Sequence, residues 1–142
     1  MQKSFNINLI KPFFKNIRKE LTKMPKIYFS DLGLRNFFVS NFKSLELRED
    51  KGSLLENAVF KQLIEKHPKN EIKFWRTTGQ NEIDFIVEEK KAFEIKANPK
   101  RFKELSYKKF FENYPNIEFS IVSLGIKNDL NIRHKITEAW QI

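Results

Sequence analysis

The 142 residues carry 27 Lys and Arg against 18 Asp and Glu, a formal net charge of +9, and no cysteine. That length suits one domain, and 15 Phe, 3 Tyr and 2 Trp exclude intrinsic disorder as the main state. Disulfide scaffolds, thiol nucleophiles and thiolate zinc sites are excluded; with only His67 and His134 as imidazoles, a metal has to be held by carboxylates, which favours a hard ion such as Mg²⁺.

In chain order, Leu9, Phe13, Ile17 and Leu21 recur every four residues and predict a helix over 9–22, with Pro12 in its first turn. Pro25 ends it, and Lys26–Ser30 reads as a short extended segment. Asp31 is placed to cap a helix through about Phe38 that carries Leu34, Phe37 and Phe38, and 40–52 reads as irregular. From Ser53 to about Lys66 a helix presents Leu55, Val59, Phe60, Leu63 and Ile64, and Pro68 closes it. Strands are predicted at Ile72–Thr78, Glu82–Glu88, Ala92–Ala97 and Ile117–Leu124, with a turn at Gly79–Asn81 and a helix over Lys100–Asn113. The last strand is expected parallel to the third, because a helical crossover joins them. The expected fold is therefore α/β: a helical extension over 1–52 packed on a core over 53–142 whose order is αβββαβ.

The apolar patterns of the second and third strands suggest a register. Ile83, Phe85 and Val87 meet Phe93, Ile95 and Ala97 if Phe85 opposes Ile95 and Glu89-Lys90-Lys91 form a three-residue loop. On the other face Asp84 then falls opposite Lys96 and Ile86 opposite Glu94, so that Asp84, Glu94 and Lys96 converge. Asp is disfavoured in strands, so Asp84 in an apolar run calls for a reason. Two carboxylates can hold a hard divalent cation that polarises a phosphodiester and acidifies a water, with a lysine beside it. The plainer reading is a cross-strand ion pair on a solvated face. Glu56 also has two readings. Ser53-x-x-Glu56 matches a capping box, yet Glu56 leans toward the buried stripe of its helix, where a carboxylate needs a partner.

Glycine occurs only at 33, 52, 79 and 125, which excludes a P-loop. No apolar run approaches the roughly 20 residues that span a bilayer, and the N-terminal stretch is unlike a signal peptide, so a cytoplasmic protein without membrane partners is expected. Two basic clusters, Lys3 to Lys26 and Lys96 to Lys109, point toward nucleic-acid phosphates, although a Lys-rich composition also arises without such a partner.

Glu56 on a helix, Asp84 on the second strand and Glu94-Ile95-Lys96 on the third together resemble the PD-(D/E)XK (restriction-endonuclease-like) superfamily, whose core is also αβββαβ. More closely, Pro25–Arg35, Leu55–Phe60, Phe74–Thr77, Asn81–Phe85 and Phe93–Lys96 resemble the uncharacterised C-terminal domain that follows AAA+-type ATPase modules in bacterial and archaeal proteins. Ile83 stands where the superfamily's name has Pro. The resemblance implies that Asp84, Glu94 and Glu56 bind Mg²⁺ or Mn²⁺, that Lys96 assists the water, and that Glu56 supports the site. It implies a Mg²⁺-dependent nuclease (an endonuclease-type phosphodiesterase) or a nuclease-derived DNA-binding domain. DNA and an AAA+-type ATPase module are the implied partners, and a homo-oligomer is left open. The alternative is a noncatalytic module docking such an ATPase onto DNA or protein; a basic RNA-binding accessory protein has no matching motif.

Overall fold

The computed structural model describes residues 7–14, 24–77, 79, 81–125 and 134–142. Five strands form one sheet in chain order: β3 (Ile72–Arg76), β4 (Glu82–Val87), β5 (Lys91–Ile95), β6 (Glu118–Ser123) and β7 (Lys135–Glu138). The β3–β4 and β4–β5 pairs are antiparallel, while β5–β6 and β6–β7 are parallel, so the sheet is mixed. A separate antiparallel pair, β1 (Ile7–Ile10) with β2 (Lys26–Phe29), precedes it. The helices are α1 (Leu32–Phe38), α2 (Lys51–Lys66) and α3 (Lys108–Asn113). The α/β class and the parallel β5–β6 crossover are as expected; β7 is an added strand. Among the described residues no helix is long and apolar enough to cross a membrane.

Each face of the sheet has its own core. On one, Leu55, Val59, Phe60 and Leu63 of α2 pack against Phe74, Phe85, Val87, Ile95 and Val122, joined by Ile10 and Tyr28 from the small sheet. On the other, Tyr107 and Phe110 cover Trp75, Ile83, Ile86, Ala92, Phe119 and Ile121. Phe60 is fully buried and stacks on Tyr28, with ring centroids 4.7 Å apart. Phe60→Ala is expected to lower stability by about 3–5 kcal/mol, read from urea unfolding, because the ring's contacts vanish from both the helix and the small sheet.

Three expectations are corrected. The helix over 9–22 is not formed at its start: Leu9 and Ile10 lie in β1, where Leu9 is exposed and Ile10 buried. A four-residue spacing is also two strand periods, and the chain beyond Pro12 runs beside β3, with the Phe13 N–H donating to the Phe74 carbonyl at 2.6 Å. Residues 15–22 of that prediction, with Lys15, Arg18 and Lys19, lie outside the described residues. α1 forms as predicted, capped by the Asp31 carboxylate accepting from the Leu34 N–H at 2.7 Å. However, its Phe37 and Phe38 are exposed, and Arg35 is the buried residue, paired with Asp50 at 2.8 Å.

The helix expected over Lys100–Asn113 is broken into 3-10 turns at Pro99–Arg101 and Glu104–Tyr107, followed by α3. Residues five apart point to different sides of an α-helix. The extended backbone at Phe102 and Lys103 instead lets Phe102 stack on Tyr107, with centroids 5.0 Å apart, and both rings meet Phe119.

The β4–β5 register differs by two residues from the expected one: Phe85 pairs with Phe93, Ile86 with Ala92 and Val87 with Lys91. The predicted pairings of Phe85 with Ile95 and Ile86 with Glu94 do not form. A two-residue slip leaves every side chain on its own face, so the apolar pattern cannot detect it. The loop is Glu88-Glu89-Lys90, and Glu88 and Glu89 have φ of 53° and 55°, the left-handed region. Glu89→Gly is expected to stabilise the chain by ~1 kcal/mol in the same unfolding experiment, because glycine adopts this backbone without strain.

Candidate metal and phosphodiester site

The sheet is irregular where the predicted site falls. Lys73 pairs with Ile86 but Trp75 with Ile83, so Asp84 and Phe85 together face the single residue Phe74. This bulge breaks the alternation of β4: Ile83 packs with Ile86 and Ala92, not with Phe85 and Val87 as its spacing suggested. Bulges re-aim side chains beside functional sites. Here Glu82 and Asp84 both reach the Lys26 ammonium.

The Asp84 carboxylate is divided between two donors. Its Oδ2 accepts the Ile95 N–H at 2.9 Å, and its Oδ1 accepts from Lys26 Nζ at 3.0 Å. On α2, Glu56 Oε1 accepts from Lys26 Nζ at 2.6 Å and from the Tyr28 hydroxyl. The capping-box reading of Glu56 fails, because α2 begins at Lys51 after Asp50 and Ser53 lies inside the first turn. Glu94 Oε1 accepts from the Tyr107 hydroxyl at 2.7 Å and from Lys96 Nζ, while Glu94 Oε2 is buried with no hydrogen-bond partner among the described residues.

Glu56, Asp84, Glu94 and Lys96, the four residues singled out in the sequence, line one open pocket of ≈ 560 Å³ together with Glu82 and Tyr107. Glu56, Glu82 and Asp84 each offer a carboxylate oxygen within 4.8 Å of the others. Glu94 stands outside that close set and Glu82 inside it, so the carboxylate grouping differs from the expected Asp84, Glu94 and Glu56. An all-oxygen donor set suits a hard divalent ion. Glu94 Oε2, on a residue that lines the same pocket, is a buried acceptor with no hydrogen-bond partner among the described residues.

The electrostatics reflect crowding. Burial pushes the Asp84 carboxyl well above its ordinary range, and the neighbouring Glu94 and Glu56 charges push it the same way. Burial also raises Glu94, against the opposing pull of Lys96. Burial alone would lower Lys26, but the charges of Asp84, Glu56 and Glu82 outweigh it and raise the ammonium's pKa. Burial likewise opposes ionisation of Glu82, yet Lys26 and Arg76 bring its pKa below the ordinary value. Burial followed by the Glu94 charge raises Tyr107, which stays a neutral donor.

Sequence reasoning missed Lys26, Tyr28, Glu82 and Tyr107 as members of the site. A period-two signal was present for three of them. Lys26 and Tyr28 flank Ile27 in an extended segment, and Glu82 and Asp84 flank Ile83.

Comparison with known proteins places this geometry in a family. A family model described as "Domain of unknown function (DUF4143)" matches residues 51–142. The uncharacterized protein Rv2008c of Mycobacterium tuberculosis is similar, 34% identical over 84 residues that cover 58% of this chain and 19% of that protein. The uncharacterized protein Mb2031c of Mycobacterium bovis is similar to the same extent. The alignment to these curated relatives thus covers about a fifth of their length. No solved structure matches the chain significantly. The matched residues contain α2, the whole five-stranded sheet, and the carboxylates Glu56, Glu82, Asp84 and Glu94, with Lys26 and Tyr28 lying before them; the chain belongs to the DUF4143 family.

Proposed function

We propose that this chain is a Mg²⁺- or Mn²⁺-dependent phosphodiesterase domain of the PD-(D/E)XK kind, acting on DNA as the C-terminal part of an AAA+-type ATPase. The observation that carries the reading is the convergence of Glu56, Asp84, Glu94 and Lys96 on one pocket in which Glu94 Oε2 is buried without a partner. Asp84 and Glu94 would hold the ion, with Glu56 and Glu82 in support. When bound, the ion supplies Lewis-acid polarisation of the phosphate and a more acidic water.

The chain's own residues do the rest. Tyr107 fixes the Glu94 carboxylate through one oxygen. The Ile95 N–H orients Asp84 in the same way. Lys96, with its side chain 27% exposed, keeps a positive charge at the pocket wall where a phosphate oxygen or hydroxide would gain from it. A second cavity of ≈ 690 Å³ shares Gly52, Ser53, Ile95 and Lys96 with the first and is also lined by Lys51 and Arg101. These cations suit contacts to a phosphate backbone.

The direct test is nicking of supercoiled plasmid with Mg²⁺, with Mn²⁺ and with chelator, beside DNA binding across a salt series. Metal-dependent nicking and an affinity falling steeply with salt are expected. DNA binding without cleavage or metal uptake favours the second reading, a noncatalytic docking module. The observation behind that alternative is that Lys26 already pairs with Glu56, Glu82 and Asp84.

A further inference from the structure

We infer that Lys26 is an internal competitor of the divalent cation, its ammonium holding the seat among the carboxylates until an ion displaces it. This inference rests on the reading of the pocket as a cation site and concerns what controls its occupancy.

The geometry carries it. Lys26 Nζ contacts Glu56 Oε1 at 2.6 Å, Asp84 Oδ1 at 3.0 Å and the Glu82 carboxylate, and these three residues are the set whose oxygens converge within 4.8 Å. A Mg²⁺ ion would need its oxygens at about 2.0–2.1 Å and a larger divalent ion somewhat farther away. An ammonium lying 2.6–3.0 Å from the same oxygens cannot remain beside it. At Asp84, Oδ2 already accepts the backbone Ile95 N–H, and Oδ1 is the oxygen that Lys26 holds.

Lys26 is in turn held by its surroundings. Its side chain is only 14% exposed, and Nζ lies 5.9 Å from the centre of the Tyr28 ring and 5.7 Å from that of Phe74. It enters from β2, which precedes the residues matched by the family model, so the competitor and the carboxylates come from different parts of the chain.

The experiment is calorimetric titration of the 142-residue chain and of Lys26→Met with MnCl₂, together with reductive methylation of wild-type lysines followed by mass spectrometry, with and without saturating Mg²⁺. Lys26→Met should bind Mn²⁺ at least tenfold more tightly than wild type. In wild type, Lys26 should be methylated slowly without metal and several-fold faster with it. If both proteins bind Mn²⁺ with equal affinity, or if Lys26→Met binds it more weakly, the competition is refuted while the metal site stands. If neither protein binds Mn²⁺, the metal reading itself fails and this inference falls with it. The methylation measurement uses unmutated protein, so poor folding of the variant does not remove the test: unchanged Lys26 reactivity at a metal concentration that saturates the wild-type titration overturns the proposal.

Discussion

Asp84→Asn is expected to weaken Mn²⁺ binding by about 100-fold or more and to remove plasmid cleavage with it, while the fold persists. The loss follows from charge: a neutral amide cannot replace the carboxylate whose Oδ1 faces Glu56, Glu82 and the pocket. Persistence follows from the other oxygen, because the amide carbonyl of Asn can still accept the Ile95 N–H that Asp84 Oδ2 now accepts at 2.9 Å. Burial and the charges of Glu94 and Glu56 already oppose ionisation of Asp84, so replacing it with a neutral group relieves repulsion in the metal-free protein. The measurement is metal calorimetry beside cleavage, with thermal unfolding as the folding control. Cleavage surviving in the variant would place the activity elsewhere.

Lys96→Ala is expected to separate binding from chemistry. Metal affinity should stay within a few-fold of wild type, while cleavage falls by roughly 10²–10³. Glu94 loses one of its two donors but keeps the Tyr107 hydroxyl at 2.7 Å, so the carboxylate remains aimed as before. What disappears is the cation that the proposed mechanism sets beside the phosphate. Glu56→Gln should be milder than either, because Glu56 sits behind Lys26 and Tyr28 as a supporting carboxylate. A Lys96→Ala variant that loses metal and cleavage together would make Lys96 a structural support for Glu94 instead of a participant.

Much of this site was legible because its residues lie in regular elements. The stripe of Leu55, Val59, Phe60 and Leu63 gave α2 and hence the placement of Glu56, and the apolar alternation of β4 and β5 made Asp84 and Glu94 stand out. What escaped was everything that breaks a period. The bulge at Asp84–Phe85 moves Ile83 to the other face, and no residue type in that stretch announces it. The left-handed pair Glu88–Glu89 forms a turn without the Asn or Gly that usually signals one, and the register was misjudged by two residues as a result. Lys26 escaped for another reason: it is 58 residues from Asp84, and only the docking of the small sheet brings them together.

The central claim is that these carboxylates hold a divalent cation, and the most direct measurement is anomalous diffraction from crystals of the chain soaked in MnCl₂. Manganese is predicted in the pocket lined by Glu56, Glu82, Asp84 and Glu94, with the Lys26 side chain moved away from the three carboxylates it now contacts. A pocket without manganese, with Lys26 still seated on Glu56, Glu82 and Asp84, would contradict it.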